Sequence, residues 1–242
     1  MNILLKLIKV FPPELSHAIA LNSIKILYFL NLIHLFFPKP KTQKVSLFGM
    51  DLANKLGIAA GLDKNGDFID PLGALGFGFI EVGTITPLAQ KGNPKPRIFR
   101  IFNENAIINR LGFNNKGVDH LVQKLKKRKF SGVVGVNIGA NKESTGQDRI
   151  NDYLSCFRKV HEFCDYITVN ISSPNTPGLR KLQFGESLRA LLGALKDKQV
   201  ALSQQNNRYV PMAVKVAPDL DEGEVQELAE AFVSHEIDAV IA

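Results

Sequence analysis

Val133-Val134-Gly135-Val136-Asn137-Ile138, an amphipathic stretch from Ile150 to Phe163, then Tyr166-Ile167-Thr168-Val169-Asn170-Ile171-Ser172 form the passage that decides the fold. The two apolar runs are short and rich in β-branched residues, which reads as strands covered on both faces. The stretch between them has a helical period. Together they make one βα step, and the tripeptide Val-Asn-Ile recurs at 136–138 and 169–171, late in each run, so the step repeats.

Working outward, the same alternation predicts strands at Leu56–Ala60, Phe79–Thr84, Met212–Ala217 and Ala239–Ala242. Helices are predicted at Phe68–Leu75, Lys116–Lys127, Phe184–Gln204 and Glu222–Ser234. Thr86–Asn109 is too long for an ordinary βα connection, and Arg97–Phe102 with Ala106–Asn109 reads as a hairpin inside it. Long loops in compact domains are usually functional. Six parallel strands suit either a doubly wound sheet or an eight-fold barrel.

In both architectures ligands gather at the carboxyl ends of the strands. Those ends carry Gly61-Leu62-Asp63-Lys64-Asn65-Gly66, then Thr84, Asn137, and Asn170 through Asn175. Lys215 interrupts Ala213-Val214-Lys215-Val216-Ala217 where a core residue is expected. A buried ammonium is costly unless an anion or several acceptors meet it, so this lysine reads as functional. Thr84 or Asn137 taken singly is more often a turn-forming residue than a ligand contact. No Gly-x-Gly-x-x-Gly follows the first strand, and no Walker loop or Gly-x-Ser-x-Gly elbow is present.

The bulk properties set outer limits. With 242 residues, 45% of them hydrophobic, the chain can bury a real core. A net charge of +7 favours an anionic partner without choosing among nucleic acid, lipid and small acids. The run Lys124, Lys126, Lys127, Arg128, Lys129 reads as a solvated helix end whose cations suit the dipole. Two cysteines, Cys156 and Cys164, demand neither disulfide nor metal and fit a reducing compartment. None of the five histidines sits in a zinc-like array.

Residues 1–37 are apolar with scattered lysines, but Lys25, Asn31 and His34 break the longest run below the ~18–20 residues of a membrane span. The chain there predicts two helices, about 1–10 and 14–36, joined at Pro12-Pro13 and stopped by Pro38 and Pro40. Lys39–Lys44 reads as a linker. Such helices either lie in a lipid interface or pack on the body of the protein.

Asn170-Ile171-Ser172-Ser173-Pro174-Asn175-Thr176-Pro177-Gly178 and Gly57-Ile58-Ala59-Ala60-Gly61-Leu62-Asp63-Lys64-Asn65-Gly66 resemble segments of the membrane-associated, quinone-dependent class (class 2) of dihydroorotate dehydrogenases. Gly83-Thr84-Ile85-Thr86-Pro87, Gly92–Arg97, Asn109–Asn115 and Val136-Asn137-Ile138-Gly139 extend the likeness from about Gly49 to Ala242. Lys55 and Ala89 depart from the family pattern, each standing where a proline is common.

The resemblance implies an α/β (β/α)8 barrel, incomplete here at about six of its eight βα units. It spans 45–242 and follows an N-terminal helical membrane-associating region, 1–38. It implies FMN held by Ala60, Gly61, Leu62, Asp63, Lys64, Thr84, Asn137, Asn170 and Lys215. Dihydroorotate would meet Lys64, Asn109, Arg110, Leu111, Gly112, Phe113, Asn170 and Asn175. Ser173 matches the base that takes the C5 proton, where the soluble class has cysteine, with Thr176 in sequence reach of a proton relay. The implied reaction is oxidation of dihydroorotate to orotate in pyrimidine biosynthesis, with electrons passing to a membrane quinone.

The implied place is peripheral, against an anionic membrane surface on the cytoplasmic face of a bacterial inner membrane, with no metal and no nucleic acid among the partners. Rival readings are an inactive remnant of such an enzyme and a soluble-class dehydrogenase with another electron acceptor. Because the sequence stops at the sixth strand, these residues alone are expected to bind FMN poorly and to show no turnover.

Overall fold

The structure, a computed structural model, describes residues 10–38, 40 and 42–242. The expected helix at 1–10 therefore lies outside the described residues, apart from Val10. α1 (Pro13–Phe29) starts with proline at its first turn, where a missing N–H costs nothing. The single helix expected at 14–36 is instead two, because Asn31 takes φ 57° and α2 (Ile33–Phe36) starts afresh. Asparagine tolerates that left-handed conformation, and the Leu32 N–H closes on the Leu27 carbonyl at 2.8 Å.

The expected linker merges into a hairpin that the sequence reading missed, β1 (Val45–Leu47) and β2 (Met50–Leu52). Its three-residue strands are too short to show a period. β3 (Gly57–Ile58), α3 (Ile69–Gly73) and β4 (Phe79–Ile85) follow. The long second loop carries β5 (Ile98–Ile101) and β6 (Ala106–Asn109), paired antiparallel as expected. Then come α4 (Val118–Lys127), β7 (Val133–Ile138), α5 (Gly146–Val160), β8 (Tyr166–Asn170), α6 (Gly185–Asn206), β9 (Met212–Lys215), α7 (Glu222–Ser234) and β10 (Ala239–Ile241). A capping box begins α7, with the Asp221 carboxylate accepting the Glu224 N–H and the Glu224 carboxylate accepting the Asp221 N–H.

β3, β4, β7, β8, β9 and β10 pair in chain order, all parallel. A doubly wound sheet reverses its strand order; this one never does, so the crossovers run one way and the sheet is an arc of a barrel. The period of two then sorts the side chains. Ile80, Val82, Val134, Val136, Ile167, Val169 and Val214 are buried in the core cluster with Leu72, Leu121, Tyr153, Phe157 and Leu191 from the helices. The alternate set, Phe79, Glu81, Asn137, Tyr166, Asn170 and Lys215, lines an interior cavity.

Strict alternation would turn Thr84 away from that cavity. A register irregularity between Gly83 and Ile85 turns it inward, a common use of bulges beside functional sites. Gly83 permits this with φ 113°, and a Cβ there would run into the Asn137 carbonyl oxygen.

The basic run at 124–129 is more engaged than a solvated helix end. Lys124 pairs with Asp67 at 3.0 Å, Lys126 lies 4.8 Å from the centre of the Phe163 ring, and Arg128 donates to the Phe163 carbonyl at 3.0 Å. Burial alone would raise the Asp67 carboxyl, yet bonds from Lys116, Lys124 and His120 hold it at about 2. Asp67 thereby clips the start of α3 to α4.

Gly83→Ala is expected to destabilise the fold by roughly 3 kcal/mol or more, since it combines a disfavoured φ with a backbone clash. Urea unfolding of the two proteins measures this, and a loss under about 1 kcal/mol would show that the bulge relaxes.

Candidate active site

The cavity has a volume of about 860 Å³ and runs the height of the arc, from Phe79, Val133 and Tyr166 at the strand starts to Thr84, Asn137, Asn170 and Lys215 at the carboxyl ends. That size suits a cofactor together with a small substrate. Ala60, Gly61 and Lys64 reach it from the loop after β3, and Asn109, Leu111, Gly112 and Phe113 from the end of β6 and the loop beyond. Ser173 and Asn175 come from the loop after β8, and Lys215 from the end of β9. Thr84, Asn137 and Asn170 complete the wall.

Three residues expected at the site stay outside this lining. Asp63 is buried, and its carboxylate accepts the N–H groups of Asn65, Asp67 and Phe68 at 3.3, 3.0 and 2.7 Å. Burial pushes its carboxyl up against the pull of those bonds. Asp63 thus builds the turn that aims Lys64. Leu62 projects to the surface, its carbonyl 2.7 Å from His17 Nε2 on α1. The Arg110 guanidinium turns away to the Pro96 carbonyl and the Phe99 ring.

Hydrogen bonds knit the strand ends together. Thr84 Oγ1 donates to Asn137 Oδ1 at 2.6 Å, and Asn170 Nδ2 donates to Thr84 Oγ1 at 3.0 Å and to Asn137 Oδ1 at 3.2 Å. Asn170 Oδ1 accepts the Ser172 hydroxyl at 3.0 Å, and Lys215 Nζ donates to that hydroxyl at 3.3 Å. The Tyr153 hydroxyl pins the backbone of Asn170 from α5. Ser173 Oγ accepts the Asn175 N–H at 3.2 Å. Thr176 Oγ1 is buried and lacks a hydrogen-bond partner among the described residues.

A second network holds the wall formed by the loop after β6. Gln90 donates to the Gly112 carbonyl, Asn115 to the Phe113 carbonyl and Thr86, and Asn141 to Thr86 and Gln90. It holds Phe113 at φ 50°, a strained conformation for a bulky side chain. The sequence reading missed this scaffold because its members come from three separate loops. It also missed Glu81, Tyr166 and Thr168 inside the barrel, although polar residues at alternate positions of buried strands were a visible signal.

Both cavity lysines lack a carboxylate within ion-pair distance among the described residues. Lys64 Nζ donates to Asn114 Oδ1 at 3.0 Å. Burial pushes its amine down to about 8, with the Arg97 charge adding to the fall and Glu14 opposing it. The arrangement is a cationic pocket with amide edges, which receives a planar anion well.

The profile of the family described as dihydroorotate dehydrogenase matches residues 42–242. The chain belongs to the dihydroorotate dehydrogenase family. Within it the chain falls in class 2, with relatives named dihydroorotate dehydrogenase (quinone). One from Saccharophagus degradans is 52% identical over 229 residues, covering 95% of this chain and 68% of its own length. One from Cellvibrio japonicus is 54% identical over 230 residues, covering 95% and 67%. The Eimeria tenella enzyme solved in complex with ferulenol aligns with TM-score 0.82 and 33% identity, over 95% of this chain and 66% of that one. The chain thus spans about two thirds of the length of its relatives. The family is one of flavin-dependent oxidoreductases, and the parallel arc matches part of its barrel.

The residues present fit a flavin. Gly61 has φ 106°, and a Cβ placed on it would meet nothing within 4 Å, so the loop after β3 leaves open space where a flat ring system would pass. The side chains of Lys64, Lys215, Asn137, Asn170 and Asn175 line the same space.

A folded-state value for Lys64 below its unfolded one means that its ammonium costs stability below about pH 8, and that this cost fades as the pH rises to about 10.5. Lys64→Met is therefore expected to stabilise the protein without ligand by roughly 1–2 kcal/mol at pH 7, after loss of the bond to Asn114. Chemical unfolding at pH 7 and near pH 10 checks it. Lower stability of the variant at pH 7 would contradict a strained ammonium.

Proposed function

We propose that this protein oxidises dihydroorotate to orotate, with FMN as the hydride acceptor and a membrane quinone as the final oxidant. The observation that carries the reading is the meeting of Ser173, Asn170, Asn175, Lys64, Asn109 and the Leu111–Phe113 wall in one cavity with Thr84, Asn137 and Lys215. The Ser173 position matches the base of the quinone-dependent class rather than the cysteine of the soluble one.

Ala60, Gly61, Lys64, Thr84, Asn137, Asn170 and Lys215 would hold FMN. When bound, that group supplies a hydride acceptor which a quinone can reoxidise. The lysine ammoniums meet negative charge on substrate and cofactor, while the carboxamides of Asn170 and Asn175 pair with the amide-like edges of the substrate ring. Ser173 Oγ takes the proton from C5. A serine is a weak base in water, so its proton must pass onward through solvent or the buried Thr176 hydroxyl, which lacks a protein partner among the described residues. The walls of the Gly112-Phe113 loop exclude water from the ring.

The N-terminal helices favour peripheral attachment on the cytoplasmic face of the inner membrane. Among the described residues no helix is long and apolar enough to cross a bilayer. α1 and α2 nevertheless leave Ile26, Phe29, Leu30, Leu35 and Phe36 exposed, and the net charge of +7 suits an anionic lipid surface.

In the full-length polypeptide, Ser173→Ala is expected to keep FMN bound and to slow flavin reduction by dihydroorotate about 10²–10⁴-fold in single-turnover absorbance. Near-normal reduction would overturn the assignment of the base. Phe29→Asp with Phe36→Asp is expected to release the protein from vesicles containing anionic lipid by about tenfold or more, measured by co-sedimentation. Undiminished sedimentation would remove α1 and α2 from the attachment surface.

A further inference from the structure

Inside the barrel, one layer below Thr84 and Asn137, lies Glu81, a carboxylate that is 5% exposed and has no cationic partner within 4 Å among the described residues. A carboxylate so placed is expensive to keep unless donors surround it. Three do. Asn137 Nδ2 donates to Oε1 at 2.8 Å, while Thr168 Oγ1 and the Tyr166 hydroxyl donate to Oε2 at 2.9 and 3.0 Å. Gly135, the neighbour of both Glu81 and Tyr166 in the strand register, has no side chain, and a Cβ there would occupy the space of the Tyr166 ring.

The consequence lies in the direction of the bonds above it. A carboxylate only accepts and an ammonium only donates, whereas amides and hydroxyls do both. With Oε1 accepting, the amino group of Asn137 must face Glu81, and its Oδ1 must face upward. Oδ1 receives the Thr84 hydroxyl hydrogen, so Thr84 Oγ1 has lone pairs left to accept Asn170 Nδ2. Asn170 therefore turns its Oδ1 to the Ser172 hydroxyl, which in turn accepts from Lys215 Nζ. From Lys215 through Ser172, Asn170, Thr84 and Asn137 to Glu81, every link donates the same way. One end of the chain is obligately a donor and the other obligately an acceptor.

We propose that Glu81 is a positioning residue, which together with Lys215 fixes the donor and acceptor edges that Asn137, Thr84 and Asn170 present to the flavin. This rests on the flavin reading of the cavity and adds to it a lining residue one layer below the groups read as holding the cofactor. Reversal of one amide would place two acceptors or two donors face to face at the next link, so the direction is held cooperatively.

The test uses the full-length polypeptide and FMN titration, with three variants. Glu81→Met removes the acceptor at nearly constant volume, Glu81→Gln keeps one acceptor oxygen, and Thr168→Val removes one donor to the same carboxylate while leaving its contact with Asn137. Glu81→Met is expected to weaken FMN binding at least about tenfold, Glu81→Gln to restore it to within about threefold of the parent, and Thr168→Val to lower the melting temperature without changing FMN affinity. FMN affinity that falls in Thr168→Val in proportion to stability, or that is unchanged in Glu81→Met, would overturn the proposal. Should Glu81→Met fail to fold, neutron diffraction of the unaltered protein decides the direction. Deuterons on Asn137 Nδ2 facing Glu81 and on Thr84 Oγ1 facing Asn137 are expected, and the opposite placement of either overturns it. A parent protein that takes up no FMN would refute the flavin reading itself and leave the bond direction to the neutron result.

Discussion

In-register pairing of parallel strands is the constraint from which the site follows. Parallel strands hold equivalent positions at the same height, so Asn170 stands beside Lys215, and Thr168 beside Asn137, without any loop having to place them. The period of two sends these residues inward and their apolar neighbours out to the helices. A one-residue slip of β8 would put Val169 into the cavity and Asn170 under a helix. The buried Ile167 and Val169 guard against that slip through the hydrophobic area they lose on moving inward.

The barrel interior accepts charge on terms that the pairing sets. Glu81 is met by three donors, and Lys215 and Lys64 by single acceptors, with no ion pair to neutralise any of them among the described residues. Burial also raises the Tyr166 phenol, with the Glu81 charge acting the same way, so Tyr166 stays a neutral donor to that carboxylate. A pocket built like this is poised for an anionic ligand rather than for maximal stability, the usual compromise at functional sites.

The loops add what the strands cannot. Arg97 fastens the long second loop by donating to the Lys91 and Asn93 carbonyls, and it reaches Glu14 on α1 at 2.7 Å. His17 meets the carbonyl of Leu62, two residues before Lys64. The N-terminal helix is thus tied both to the wall formed by the second loop and to the loop that aims Lys64.

The sequence by itself determined the βα repeat, the strand-end cluster of Thr84, Asn137, Asn170 and Lys215, and the hairpin within the second loop, because each is written in local period and in polar residues that interrupt apolar runs. Its segments also pointed to the family that the comparisons with known proteins show. The choice between a barrel and a doubly wound sheet was left open by the periodicity, since both share the βα step and differ only in strand order. The break at Asn31 depended on one backbone torsion, and the hairpin of β1 and β2 was too short to carry a pattern. Asp63 and Arg110 looked like ligand contacts in their motifs, yet a carboxylate consumed by three backbone N–H groups and a guanidinium drawn to the Pro96 carbonyl face elsewhere. The role of Glu81 could come only from the tertiary structure. Its meaning lies in three donors from two other strands, and the direction that it imposes exists only once those strands are side by side.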